Sequence, residues 1–201
     1  SIAVHTTAAI AISIDTSTAR PSPAMKPIEA AISARAGITL PIGMGRMIVT
    51  AINSSGSART MRAVRPGMAE YELQADLERE FRANDGWPAY GSIVGTGANG
   101  CVLHYHSNNA RCRDGELVLI DAGAEYRGYA SDITRTFPVS GRFSPEQKAI
   151  YELVLKANEE AFKHIAPGKH WNEAHEATVR VIQRWVAADA AAPGASAPHG
   201  A

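Results

Sequence analysis

Leu117-Val118-Leu119-Ile120-Asp121-Ala122-Gly123, then Tyr126-Arg127-Gly128-Tyr129, then Ala130-Ser131-Asp132-Ile133-Thr134-Arg135-Thr136-Phe137: these residues set the architecture of the chain. The first group is a short apolar run ending in a carboxylate. The second is a turn, and the third alternates with a period of two. Two extended arms around a Gly-containing turn predict an antiparallel hairpin. Asp121 and Asp132 lie eleven residues apart, one on each arm. If the turn centres on Tyr126-Arg127 they face each other directly. If it centres on Arg127-Gly128 they are offset by one same-face step, so either register keeps them on one side of the sheet. A slip of one residue would separate them. On the returning arm Thr134 and Thr136 share the face of Asp132, and Ile133 and Phe137 take the other.

Like charges at neighbouring cross-strand positions repel, and partial burial raises the cost. One or two divalent cations would compensate, because carboxylate oxygens are hard ligands and one carboxylate can bridge two metals. An ordinary surface pair neutralised by Arg127 or Arg135 is the alternative, and spacing alone leaves both open. His104 stands near the end of a predicted neighbouring strand, where its imidazole would reach the same cleft. A structural or exposed histidine is the competing reading. His5, His164, His170, His175 and His199 show no ligand-like clustering and read as surface residues.

Outward from the hairpin, Tyr90 to Gly95, Cys101 to Tyr105, Glu116 to Asp121 and Ala130 to Val139 read as antiparallel strands. Gly95-Thr96-Gly97-Ala98-Asn99-Gly100 matches a dinucleotide-type glycine pattern, but strand-like residues follow where that fingerprint needs a helix. It reads as a glycine-rich turn between strands. Ala58 to Val64 closes a helix at Arg65-Pro66-Gly67. Met68 to Ala83 is a second helix, with Leu73, Leu77 and Phe81 on one face and Asn84-Asp85-Gly86 as its stop. Ser144-Pro145-Glu146-Gln147 caps a third over 145–166, ended by Pro167-Gly168, and a fourth spans about 172–186. The class is α/β (α+β), an antiparallel sheet backed by amphipathic helices.

The chain has 201 residues, 45% of them hydrophobic, with 20 basic and 20 acidic side chains. That is room for one medium domain, and zero formal charge predicts no nucleic-acid partner. Cys101 and Cys112 are too few for a disulfide framework, which points to a reducing, cytoplasmic setting. No run of about 18 apolar residues is available to span a membrane. Residues 1–14 lack the pattern of a secretory signal and only faintly suggest a transit peptide. All thirteen aromatic residues lie between Tyr71 and Trp185. Residues 1–60 therefore read as an atypical, disordered or unrelated segment, 61–186 as the folded domain, and 187–201, rich in Ala, Pro and Gly, as a tail.

Ile93 to Tyr105, Asp114 to Gly123 and Tyr126 to Gly141 resemble Xaa-Pro aminopeptidase (aminopeptidase P) of the pita-bread metallopeptidase superfamily. The resemblance runs from about Met61 to Arg184 and implies the first half of a pita-bread catalytic domain. It implies release of an N-terminal residue preceding proline by a hydroxide held between two divalent metal ions, manganese above all. Asp121 and Asp132 match two metal ligands, the second bridging both metals. His104 matches the catalytic histidine that contacts substrate and stabilises the intermediate, and Tyr90 a tyrosine lining the substrate site. The implied partners are peptides with proline in the second position, with no membrane, and homo-oligomers of full-length members.

The family's remaining histidine and two glutamate ligands find no match, since after Trp185 there is no Glu and only His199. The chain thus carries part of a metal site and reads as a fragment, inactive alone. Prolidase or creatinase activity on the same fold, or a non-enzymatic remnant, are the alternatives.

Overall fold

A computed structural model describes residues 42–190, which fall into two compact units, 42–143 and 144–190. Residues 1–41 and 191–201, including most of the segment read as atypical, lie outside the described residues.

The first unit begins with helix α1, Ile42–Ala63, and continues with α2, Glu70–Ala83. Sequence periodicity finds only the last turns of α1, because its inward face is mixed. Ile48, Val49 and Ile52 are buried there, but so are Asn53, Ser57 and Thr60. A boundary at residue 60 therefore falls inside a helix that supplies core side chains. In α2 the expected stripe of Leu73, Leu77 and Phe81 is fully buried. The helices approach closely at Gly56, where a Cβ would stand 2.8 Å from Leu77 Cδ1. The stop after α2 is as read: Asp85 takes a positive φ of 61°, and Gly86 N–H donates to Phe81 C=O at 2.9 Å.

Six short strands follow: β1 Trp87–Pro88, β2 Ile93–Thr96, β3 Leu117–Ala122, β4 Ala124–Tyr126, β5 Tyr129–Ala130 and β6 Ile133–Pro138. They form two antiparallel three-stranded sheets, ordered β1-β4-β5 and β2-β3-β6. The chain passes between the sheets at Gly123 on one arm and at Ser131-Asp132 on the other. Val94, Val118, Ile120, Tyr126 and Phe137 join the buried side chains of α1 and α2 in one core.

The predicted strand at Cys101 to Tyr105 is absent. Gly97–Cys101 forms a 3-10 turn, and the chain next enters a strand at Leu117. The short apolar run there is local and finds no ladder partner.

In the second unit α3, Pro145–Phe162, packs against α4, Trp171–Ala190. The N-terminus of α3 carries the reciprocal cap read from its sequence: Gln147 N–H donates to Ser144 Oγ at 3.2 Å, and Ser144 N–H to Gln147 Oε1 at 2.9 Å. Helix α3 ends at Phe162, one turn before the expected 166. Helix α4 extends to Ala190, past the 187 where the tail was expected. Among the described residues no helix is long and apolar enough to cross a membrane.

Candidate functional site

The hairpin turn fixes the site. Arg127 and Gly128 have φ of 52° and 85°, so the turn centres on them, and Tyr126 pairs with Tyr129. The same register runs on into β3 and β6, where Asp121 faces Thr134. Asp132, two residues before Thr134, is displaced from Asp121 by one same-face step. Of the two registers the sequence leaves open, the chain adopts the offset one.

Tyr90, between β1 and β2, closes the pair. Its Oη lies 2.7 Å from Asp121 Oδ1 and 2.9 Å from Asp132 Oδ1. Burial, together with hydrogen bonding and the negative charge of both carboxylates, pushes the Tyr90 phenol well above its usual range. It therefore keeps its proton and donates it to the carboxylates. Asp132 is exposed and Asp121 partly so, leaving the cluster open on one side.

The crossing behind these residues is built to close tolerances. A Cβ on Gly123 would collide with the Ser131 carbonyl oxygen and stand 2.7 Å from Tyr90 Cε1. Glycine is required here for space. Ser131 Oγ accepts from Ala124 N–H at 3.0 Å, and Ser131 N–H donates to Ala124 C=O at 2.9 Å. Asn53 reaches in from α1, donating through Nδ2 to Ala122 C=O at 2.7 Å and to Ser131 Oγ at 3.2 Å. Asn53 does not stand out in the sequence, because it matters only through contacts far along the chain.

His104 sits elsewhere than its predicted strand. It occupies an exposed turn with φ of 53°, and no hydrogen bond joins it to the Tyr90–aspartate cluster. Nearby, His106 lies against Gly91, its ring 3.8 Å from where a Cβ would be. The segment that carries both histidines is organised by Glu70, a fully buried carboxylate on the inward stripe of α2. Thr96 N–H and Asn99 Nδ2 donate to its Oε1 at 2.7 and 3.1 Å. Tyr105 Oη and Ala110 N–H donate to its Oε2 at 2.8 and 2.9 Å. Burial alone would raise the Glu70 pKa, but these four donors outweigh it and hold the carboxyl below its ordinary value. Glu70 thus ties down residues on both sides of the expected strand, and from within it the Tyr105 hydroxyl. Its only sequence signal is a glutamate on an otherwise apolar helix face.

Among the described residues, no ion pair of 4.0 Å or less joins Arg127 to either aspartate. The Arg127 guanidinium stacks 5.3 Å from the Tyr126 ring centroid. Buried Arg135 donates to Thr134 C=O at 2.8 Å. Two hard carboxylates on one face fit part of a divalent-cation site. Among the described residues, no group of three or more His, Cys, Asp or Glu completes it.

The model of metallopeptidase family M24 matches residues 48–200. The chain belongs to this family. Escherichia coli Xaa-Pro aminopeptidase is 46% identical over 132 residues, covering 65% of this chain and 30% of that protein. Human Xaa-Pro dipeptidase is 38% identical over 136 residues, 65% of this chain and 28% of its own length. Among solved structures, Pseudomonas aeruginosa aminopeptidase PepP superposes with a TM-score of 0.71 at 56% identity, over 75% of this chain and 34% of that one. Zinc-substituted E. coli aminopeptidase P in complex with product gives 0.72 at 40% identity, over 79% and 36%. The fold is that of these aminopeptidase P structures, the pita-bread fold. This M24 chain spans about a third of the length of the relatives it matches.

Proposed function

We propose that the chain is the first half of a proline-directed metalloaminopeptidase catalytic domain. Asp121 and Asp132 would supply two of the metal ligands, and His104 and Tyr90 would face the substrate. The observation that carries this reading is the convergence of both aspartates on the single hydroxyl of Tyr90. Divalent metal, manganese on this reading, would polarise the scissile carbonyl and lower the pKa of the attacking water. The chain's own part is narrower: it holds two negative oxygens at a fixed spacing, with a protonated phenol beside them. The substrates are peptides with proline in the second position. Similarity to the human dipeptidase keeps dipeptides of the same kind as the second reading.

Homo-oligomers belong to the full-length form on this reading. A cytoplasmic setting agrees with Cys101 and Cys112 being free thiols. Titrating the purified chain with Mn2+, with free metal followed by electron paramagnetic resonance, tests the ligand assignment. Binding lost in both Asp121→Asn and Asp132→Asn supports it, and binding unchanged in either variant overturns it.

A further inference from the structure

We infer that Asn53 is a positioning residue, which sets the spacing of Asp121 and Asp132 by fastening the chain on both sides of the sheet crossing. The inference rests on the metal-ligand reading above and extends it to a helix that reading does not involve. Asn53 is completely buried. Its Nδ2 donates to the carbonyl of Ala122, which follows Asp121, and to the hydroxyl of Ser131, which precedes Asp132. One amide therefore ties together the residues adjoining both aspartates, from positions 69 and 78 residues away in sequence.

The crossing needs such a fastener. At Gly123 the β3-β6 ladder gives way to the β4-β5 ladder, and each arm changes sheet. Ladder hydrogen bonds alone leave a joint of this kind free to open, and the carboxylates flanking it repel each other. The donor half of the Asn53 side chain is fully committed to the joint, whereas its Oδ1 is buried without a partner. An orphaned buried carbonyl oxygen costs stability. The residue is therefore a poor choice for packing α1 and a good one for holding two acceptors at a set distance. Ser57 and Thr60, on the same inward face of α1, also have hydroxyls without partners, but neither reaches the crossing.

The test uses the full 201-residue chain and compares Asn53→Leu, Ser131→Ala and Ser57→Ala. Amide hydrogen exchange is read by nuclear magnetic resonance without metal. Asn53→Leu should speed exchange at Ala124 and Ser131 by about tenfold and leave Val118 and Phe137 unchanged, since a local joint opens and the ladder does not. Ser131→Ala, which alters the other end of the joint and leaves α1 intact, should do the same at Ala124. Ser57→Ala should leave the crossing unchanged.

Unchanged exchange at Ala124 and Ser131 in Asn53→Leu would overturn the inference, as would equal acceleration throughout the sheet. Mn2+ titration supplies the second readout. Asn53→Leu should bind about tenfold more weakly than the parent, in step with the opened joint. Full affinity in Asn53→Leu, where Asp132→Asn has lost it, would also overturn the positioning role. If the parent chain shows no binding that depends on Asp132, the metal reading fails instead, and hydrogen exchange alone decides whether Asn53 fastens the crossing.

Discussion

Gly123 lies under the carbonyl of Ser131 so closely that a side chain there would occupy the position of the Ser131 oxygen. The Tyr90 ring presses on the same spot from the other side, with Cε1 2.7 Å from a built Cβ. Backbone cannot yield as a flexible side chain does. Gly123→Ala should therefore cost about 1–3 kcal/mol, the usual range for overpacking a tight site. It should also displace the Tyr90 hydroxyl from the aspartates. Urea denaturation measures the first effect. The second should appear as changed ring chemical shifts of Tyr90.

Tyr90 is the donor between two like charges. Without its hydroxyl the carboxylates lose a shared hydrogen bond and keep their repulsion. Tyr90→Phe should destabilise the metal-free chain at pH 7 by about 1.5–3 kcal/mol, the range for hydrogen bonds to charged groups. The check is urea denaturation of parent and variant in the presence of a chelator. Pairing Tyr90→Phe with Asp132→Asn should cost less than the sum of the two single changes, because the second removes one of the charges that the phenol serves.

Glu70 makes stability depend on pH in a defined direction. Its carboxyl is held below the ordinary glutamate pKa in the folded state, because four donors outweigh the penalty of burial. The unfolded chain therefore binds the proton more readily. The stabilisation is fully present above the unfolded value of about 4.3 and is lost as pH falls through the lower folded-state value. Glu70→Gln replaces an oxygen acceptor with a donor facing other donors, at a cost of about 1–3 kcal/mol at pH 7. The gap between parent and variant should narrow as pH drops below about 4. Denaturation midpoints measured from pH 7 to pH 3 provide the check, and a gap independent of pH would contradict the assignment.

What the sequence revealed and what it hid follow one physical division. The hairpin, the α2 stripe and the Ser144 cap depend on near neighbours, and alternation, a period of 3.6 and capping residues expose such relations directly. The two aspartates belong to this class, because parity along a hairpin survives either choice of turn. The strand expected at Cys101 to Tyr105 failed for the opposite reason. Asn99, Tyr105 and Ala110 are drawn to Glu70, some 30–40 residues away, and no local pattern records that attraction. Helix α1 was partly hidden because Asn53, Ser57 and Thr60 interrupt its apolar face. The tight space at Gly123 was equally hidden, since it is set by the far arm of the crossing.

The 201-residue polypeptide should show negligible Xaa-Pro aminopeptidase activity even with added manganese. Divalent ions give up their hydration only to enough oxygen or nitrogen donors, and the described residues bring two carboxylates together with no third ligand beside them. Hydrolysis also needs a group to take the proton of the attacking water, and among the described residues no further His, Cys, Asp or Glu groups with the two aspartates to do so. Weak Mn2+ binding without turnover is therefore the expected state. The measurement is cleavage of an Xaa-Pro peptide by the purified chain, with Asp132→Asn as control. Turnover of about 1–1,000 per second, lost in that variant, would show that ligands from another polypeptide or a second copy complete the site.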